Sequence, residues 1–411
     1  MNGDILQDSL TLLNDWLNMS KIIYIDEVEI KNKTVLLRVD FDVSLNPNRT
    51  IADDIRIQKN LPTIKYLLKN NNKLICVAKL DRPKTRDPKL SLMPVVKRLR
   101  EYLPDYKIIL IADFLSSDKQ VFEKQTNKEI LVLENIRFYP KEKDFSTIFA
   151  KRLASLGDIY VNDAFAVCHR SDTSVIGPPK FIPSYGGLLL KKELAIISQA
   201  INKPKKPIVA IIGGNKVSTK IGLINKLIKI VDYLIIGGGL ANAFVNAQGH
   251  DVGTSFCQYE AVQQARRLLS LSKKGRAFLV LPVDAVVANT KEDKNSEIVK
   301  IENIPSNKSI FDIGPETKAQ IGGIIAKAKT IIWNGPVGYF ENPEFKQGTD
   351  FVYYSIAQNT DAVSIVGGGD TLAAISKKEY LDKITHISTG GGAMLEFIEK
   401  GTLPGIEALK K

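Results

Sequence analysis

Residues 207–220, PIVAIIGGNKVSTK, set two lysines, Lys216 and Lys220, just beyond the glycine pair Gly213-Gly214 at the end of an apolar run. Glycines let backbone N–H groups approach a ligand closely, and a helix that starts there points its positive end at the same spot. Two added cations make this an anion site, with phosphate the first candidate. Taken alone, a strand, a turn and solvated lysines explain the stretch equally well. The same construction recurs in VDYLIIGGG (231–239), AVSIVGGGDT (362–371) and ITHISTGGG (384–392). Four apolar runs that stop at glycines line up their turns on one edge of a doubly wound sheet, where ligands bind, and make a backbone-lined cradle for a polyphosphate. Asp370, after a glycine triplet, suits Mg²⁺ held beside phosphates. Glu341 lies in the loop NGPVGYFE, beyond a strand predicted over 330–333, and is placed to accept from ribose hydroxyls.

The first half offers side chains instead. Arg38, Asp40 and Asp42 in RVDFDV have period-two spacing and so share one face of a strand. Strand ends deliver Arg38, Arg82, Arg137 and Arg170, and Arg56 sits near the start of a predicted helix. Arginine forks grip carboxylate and phosphate bidentately. One arginine alone is more often a surface ion pair; several at corresponding strand ends point to a small anionic substrate.

Alternating elements must position these groups. Apolar runs predict strands at 33–43, 73–80, 107–111, 130–133 and 159–161. Helical periodicity or bounding prolines predict helices at 53–69, 92–102 and 145–155. This alternation argues for a parallel α/β sheet. LLLKKELAIISQAI, between glycines and KPKKP, reads as a helix linking two such domains. The halves are alike in style without an evident sequence repeat.

The chain has 411 residues, 44% hydrophobic and 25% charged, as in a soluble globular protein of two or three domains. A net charge of +12 suits anionic partners, but no arginine-rich tail or aromatic-basic pattern points to nucleic acid. Three scattered cysteines read as reduced thiols of a cytoplasmic protein, and three histidines exclude a histidine-rich metal site. No apolar run reaches membrane-spanning length. Residues 1–20 hold no Lys or Arg, which argues against a targeting peptide. Leu6, Leu10, Leu13 and Leu17 there fit either a short amphipathic helix or a frayed extension. Neither a Walker A motif nor the protein-kinase set occurs, and the GGG triplets lack the last glycine of a dinucleotide fingerprint. A non-catalytic nucleotide or sugar-phosphate binding protein remains the alternative; an acidic residue for Mg²⁺ and two separate anion sites favour an enzyme.

RVDFDV, ENIRF, NDAFAVCHR, YGGLLLKKEL, IIGGNKVSTK, IIGGGLA, WNGPVGYFE, VGGGDT and STGGGAM, in this order, resemble the phosphoglycerate kinase family over residues 25–405. The resemblance implies two doubly wound, Rossmann-like parallel-sheet domains joined by a helix. It implies a triose-binding domain at 1–187 with an extension at 1–20, the helix at 188–204, a nucleotide domain at 205–397 and a returning tail at 398–411. The implied reaction is reversible, Mg²⁺-dependent phosphoryl transfer between 1,3-bisphosphoglycerate with ADP and 3-phosphoglycerate with ATP, in glycolysis, by a cytoplasmic monomer after hinge closure. The resemblance places the triose on Asp40, Asp42, Arg56, Lys79, Arg82, Arg137 and Arg170. It places the nucleotide on Gly213, Gly214, Lys216, Lys220, Gly237, Gly238, Asn334, Glu341, Gly368, Gly369, Asp370 and Thr371, with Mg²⁺ on Asp370. Catalysis falls to Arg56, Lys216, Lys220, Gly368 and Gly391.

The chain departs from the family pattern at several points. AKLDRP stands for SHLGRP, so Lys79 replaces a histidine and Asp81 a glycine; Asp42 replaces an asparagine; Ala166-Val167-Cys168 replaces Gly-Thr-Ala; Asn215 replaces a small residue. Asp42 and Asp81 are expected to add negative charge beside an anionic substrate and to weaken its binding.

Overall fold

The structure is a computed structural model that describes residues 21–215, 220–375 and 378–411. The helix expected within 1–20 and the candidate lysine Lys216 lie outside the described residues. The chain divides into two compact units: one runs through Glu193 and takes in Thr402–Lys411, and the other is Leu194–Gly401. The division falls within the helix Leu188–Asn202.

In the first unit, β1 (Thr34–Arg38) is followed by a small hairpin of β2 (Ser44–Leu45) and β3 (Ile51–Asp53), then β4 (Lys73–Val77), β5 (Lys107–Ile111), β6 (Glu129–Leu133), β7 (Ile159–Asn162) and β8 (Ser184–Gly186). The main sheet is parallel, in the order β5-β6-β4-β1-β7-β8. TVLLR, KLICV and EILVL are buried after their first residue, as runs covered by helices on both faces must be. The chain first moves outward from β1 to β4 and beyond, then returns to β7 on its other side. That reversal puts a switch point between the carboxyl ends of β1 and β7, where a doubly wound sheet opens a crevice. The C-terminal segment packs here too: Gly405 N–H donates to the Cys168 carbonyl at 2.8 Å.

The second unit repeats this logic with β9 (Ile208–Ile212), β10 (Tyr233–Ile236) and β11 (Phe278–Val280) on one side, and β15 (Thr330–Asn334), β16 (Val363–Gly367) and β17 (His386–Ser388) on the other. The parallel order is β11-β10-β9-β15-β16-β17, so the switch point lies between β9 and β15. IVAII in β9 is buried throughout, and Trp333 in β15 is wholly enclosed. A separate antiparallel sheet of β12 (Asp284–Ala288), β13 (Glu297–Lys300) and β14 (Ser309–Ile313) was not foreseen from the sequence. Among the described residues no helix is long and apolar enough to cross a membrane, and the three cysteines are free.

Candidate functional site

In the first unit several of the candidate residues beyond the strands' carboxyl ends are held in ion pairs. Arg56, one residue into the helix Ile55–Lys69, reaches back to Asp40, with Nη1 2.5 Å from Oδ2. Asp53 and Asp54, its neighbours in sequence, are engaged elsewhere: Asp53 accepts from Ile55 N–H, and Asp54 accepts from Gln58 and Tyr102. The Asp40 charge, first of all, raises the Arg56 pKa. Asn60, which the sequence did not single out, brackets Asp40 by accepting from its N–H and donating to its carbonyl. Lys79 donates to Asp42. Burial alone would raise the Asp42 pKa, but Lys79 and the Asp81 N–H reverse that and hold it below its usual value. Of the two charges expected to repel an anionic ligand, that of Asp42 is therefore already countered by a lysine, while Asp81 is exposed.

Arg137 pairs with Asp172, and burial lowers its pKa. Arg170 lies within electrostatic reach of Arg137, and its Nε is buried with no hydrogen-bond partner among the described residues. Arg82 is exposed. Arg38 corrects the expectation that it shares a face with Asp40 and Asp42. β1 ends at Arg38, and the guanidinium turns into the core, wholly buried, to bond Ser174 Oγ at 3.0 Å and the Val39 carbonyl at 2.6 Å. A buried Glu142 lies within reach of Arg38 and accepts from Ser174 N–H and Oγ; burial pushes its carboxyl up to about 7.

In the second unit the four glycine clusters converge on one sheet edge, as their place after β9, β10, β16 and β17 requires. Three of them open helices: Gly239–Ala247, Gly369–Ala374 and Gly391–Lys400. The cradle differs from the expected one in how its amides are used. Gly213 N–H donates to Asn334 O, Gly214 to Pro336 O, Gly237 to Ile212 O and Gly238 to Val337 O. These glycines clamp the loops after β9, β10 and β15 together instead of offering their amides to a ligand. A Cβ on Gly213 would stand 2.1 Å from the Pro336 carbonyl, so only glycine allows this approach. Gly368, at φ +115°, turns the chain into the helix Gly369–Ala374, and a Cβ on Gly391 would come within 2.6 Å of its Cα.

Lys220 closes this edge. Its Nζ donates to the Gly213 carbonyl at 2.5 Å and to Asn334 Oδ1 at 3.1 Å, while Asn334 Nδ2 donates to Gly367 O at 2.7 Å. One lysine and one asparagine thus tie three strand ends together. Burial lowers the Lys220 pKa to about 8, against the opposing pull of Asp370. Thr371 Oγ1 accepts from Gly335 N–H at 2.7 Å. Asp370 and Glu341 are exposed and line a cavity of about 570 Å³ together with Gly214, Gly238 and Val337. Phe311 in β14 forms part of its apolar wall, a contribution with no glycine signature to reveal it. No histidine lines the cavity.

Two doubly wound units, one with paired charges at its switch point and one whose glycine-turned edge carries a buried lysine beside a cavity, define a protein suited to phosphorylated ligands. The family model of phosphoglycerate kinase matches residues 25–401. The chain is 45% identical over 403 residues to a phosphoglycerate kinase of Koribacter versatilis, covering 95% of this chain and 99% of that protein. It is 42% identical over 388 residues to a cytosolic phosphoglycerate kinase 3 of Arabidopsis thaliana, covering 93% and 96%. The solved phosphoglycerate kinase of Coxiella burnetii superposes with a TM-score of 0.81 at 38% identity, over 95% of this chain and 99% of that one. The chain belongs to the phosphoglycerate kinase family. It is a phosphotransferase.

Proposed function

We propose that the chain transfers a phosphoryl group reversibly between 1,3-bisphosphoglycerate with ADP and 3-phosphoglycerate with ATP, a step of glycolysis. The observation that carries this reading is the desolvated ammonium of Lys220 at the β9–β15 switch point, tied to Gly213 and Asn334 beside the cavity that Asp370 and Glu341 line. Such a cation is positioned before any anion arrives, which is how charge on a transferring phosphoryl group is stabilised.

The triose is assigned to Asp40, Arg56, Arg82, Arg137 and Arg170, with Asp42 and Lys79 beside it. The nucleotide is assigned to the loops at Gly213-Gly214, Gly237-Gly238 and Gly368-Gly369, with Lys216 and Lys220 on its phosphates, Asn334 and Thr371 fixing the edge, and Glu341 on the ribose. Gly391 and Gly368 keep the two helix starts close enough to share that edge. Arg56 neutralises the acceptor carboxylate and the charge arriving on it. The domain reading that accompanies this is a triose domain at 1–187 and a nucleotide domain at 205–397, with the helix at 188–204 between them and the tail at 398–411.

Both reacting oxygens, phosphate and carboxylate, are ionised near neutrality, a carboxyl having a reference pKa of about 4, so no general base is needed. The histidine-free cavity agrees with that chemistry.

Asp370 is exposed and has no hydrogen bond or ion pair among the described residues, where no group of three or more metal-ligating side chains occurs either. One available carboxylate fits Mg²⁺ that takes most of its ligands from phosphates and water. Bound there, Mg²⁺ would supply charge neutralisation on the nucleotide. The free cysteines suit a reducing compartment, and we place the chain in the cytoplasm as a monomer.

A coupled assay with 3-phosphoglycerate and MgATP tests the proposal, and turnover is expected. Binding of both ligands without turnover would move the chain to the alternative, a binding protein built on the same fold.

A further inference from the structure

Both oxygens of Asp42 are occupied by the loop that follows β4. Oδ1 accepts the Asp81 N–H at 2.7 Å, and Oδ2 accepts the Lys79 ammonium. Leu80, between them, donates its N–H to Asn135 Oδ1 at 3.1 Å and accepts Asn135 Nδ2 on its carbonyl at 2.7 Å. Three successive residues are therefore held immediately before Arg82. Asp81 adopts φ +56°, a left-handed conformation uncommon for a residue with a side chain. The bond from its amide to Asp42 holds it there. Arg82 itself is exposed and forms no hydrogen bond or ion pair among the described residues.

We infer that Asp42 is a positioning residue: through the Lys79 ammonium and the Asp81 amide it fixes the direction in which the chain presents Arg82 to an anionic substrate. The inference rests on the assignment of Arg82 to the triose. Asp42 cannot turn a free oxygen toward the ligand without releasing Lys79 or Asp81. Lys79, with a side chain only 9% exposed, would then be a desolvated cation without its partner. The pair thus acts as a clasp on the loop and contributes no net charge. A flexible arginine loses rotational freedom when it binds, and a loop fixed in advance leaves less of that cost to binding.

The test is a double-mutant cycle on purified protein, reading KM for 3-phosphoglycerate, kcat, KM for ATP and melting temperature. Arg82→Ala and Asp42→Ala are each expected to raise KM for 3-phosphoglycerate roughly tenfold, and the double variant to match Arg82→Ala, because contacting residues couple while independent ones multiply. KM for ATP and kcat at saturation should stay within a few-fold. Multiplying effects, or a lower KM in Asp42→Ala, would overturn the inference. A general loosening would lower kcat and melting temperature together, multiply with Arg82→Ala, and overturn it equally. If Asp42→Ala does not fold, Asp42→Asn, which keeps one acceptor for Asp81 and removes the charge facing Lys79, enters the same cycle with a smaller rise expected. Wild-type protein inactive with both substrates would instead refute the proposed function.

Discussion

The two units solve the problem of holding an anion in opposite ways. At the β1–β7 switch point the work falls to long side chains that are already matched with one another: Arg56 with Asp40, Lys79 with Asp42, Arg137 with Asp172. At the β9–β15 switch point it falls to backbone shape, with loops locked by glycine amides and Lys220 tied to a carbonyl and an amide oxygen. Paired charges are stable without a ligand but must exchange partners to bind one. A desolvated lysine, held by neutral oxygens and only partly offset by Asp370, is strained without a ligand and relieved by one. The difference suits a small polyanion on the first unit and a larger ligand, most of it uncharged, on the second.

The sharpest way to break this comparison is at Arg56. Arg56→Ala is expected to lower kcat by about 10³, the scale of losing an arginine on a transferring phosphoryl group, with KM for ATP within a few-fold. It should also lower the melting temperature, since Asp40 would be left buried without its partner. Arg56→Lys should restore the melting temperature and leave most of the rate loss in place, because an ammonium keeps the charge but not the planar fork. Full activity in Arg56→Ala would reduce the pair to a structural one.

Lys220 sharpens the other side. Lys220→Met is expected to lower kcat by about 10² and weaken nucleotide binding, yet raise the melting temperature of ligand-free protein at pH 7. With its pKa lowered to about 8 from 10.5, the folded state carries the cost of a buried cation below pH 8. As pH rises from about 8 toward 10.5 the unfolded chain binds more protons, so wild-type stability recovers and the advantage of the variant should vanish. An advantage over wild type no larger at pH 7 than at pH 10 would show that Lys220 is not strained.

The smallest effect separates burial from function in the first unit. Glu142 has its pKa raised to about 7 from 4.5, so it favours the folded state below pH 4.5 and loses that contribution as pH climbs through 7. Glu142→Gln should therefore be more stable than wild type at pH 8 and no more stable at pH 4.5, with kcat unchanged, as read by melting temperature across that range.

Much of this was legible in the sequence because the decisive signals are local. An apolar β-branched run that ends in glycines is a buried strand reaching a sheet edge, and four such runs marked the edge of the second unit. The arginines were legible as a set, but their partners were not. Asp42 and Lys79 are 37 residues apart, and nothing local to Arg38 distinguishes a guanidinium that turns into the core from one that faces a ligand. The Asp42 charge, an added penalty in a linear reading, becomes half of a neutral pair with Lys79 when β1 and β4 lie side by side, whereas the Asp81 carboxylate stays exposed. The role of the glycine amides was likewise hidden, because their acceptors lie on loops from distant strands. β12–β14 escaped because short antiparallel strands carry no signature at their ends, although β14 supplies Phe311 to the cavity wall.

Trp333 gives the molecule an optical reporter of its own. Its indole is sealed from water, which favours emission at short wavelength, and its Nε1–H is held at 2.9 Å by the carbonyl of Gly335. Gly335 is the residue after Asn334, so any displacement of the β15 loop pulls on the hydrogen bond that tunes the fluorophore. The sequence contains one other tryptophan, Trp16. Replacing Trp16 with phenylalanine leaves a chain whose tryptophan emission comes from one point on the edge of the second unit's sheet, so occupancy there can be followed in real time without a label.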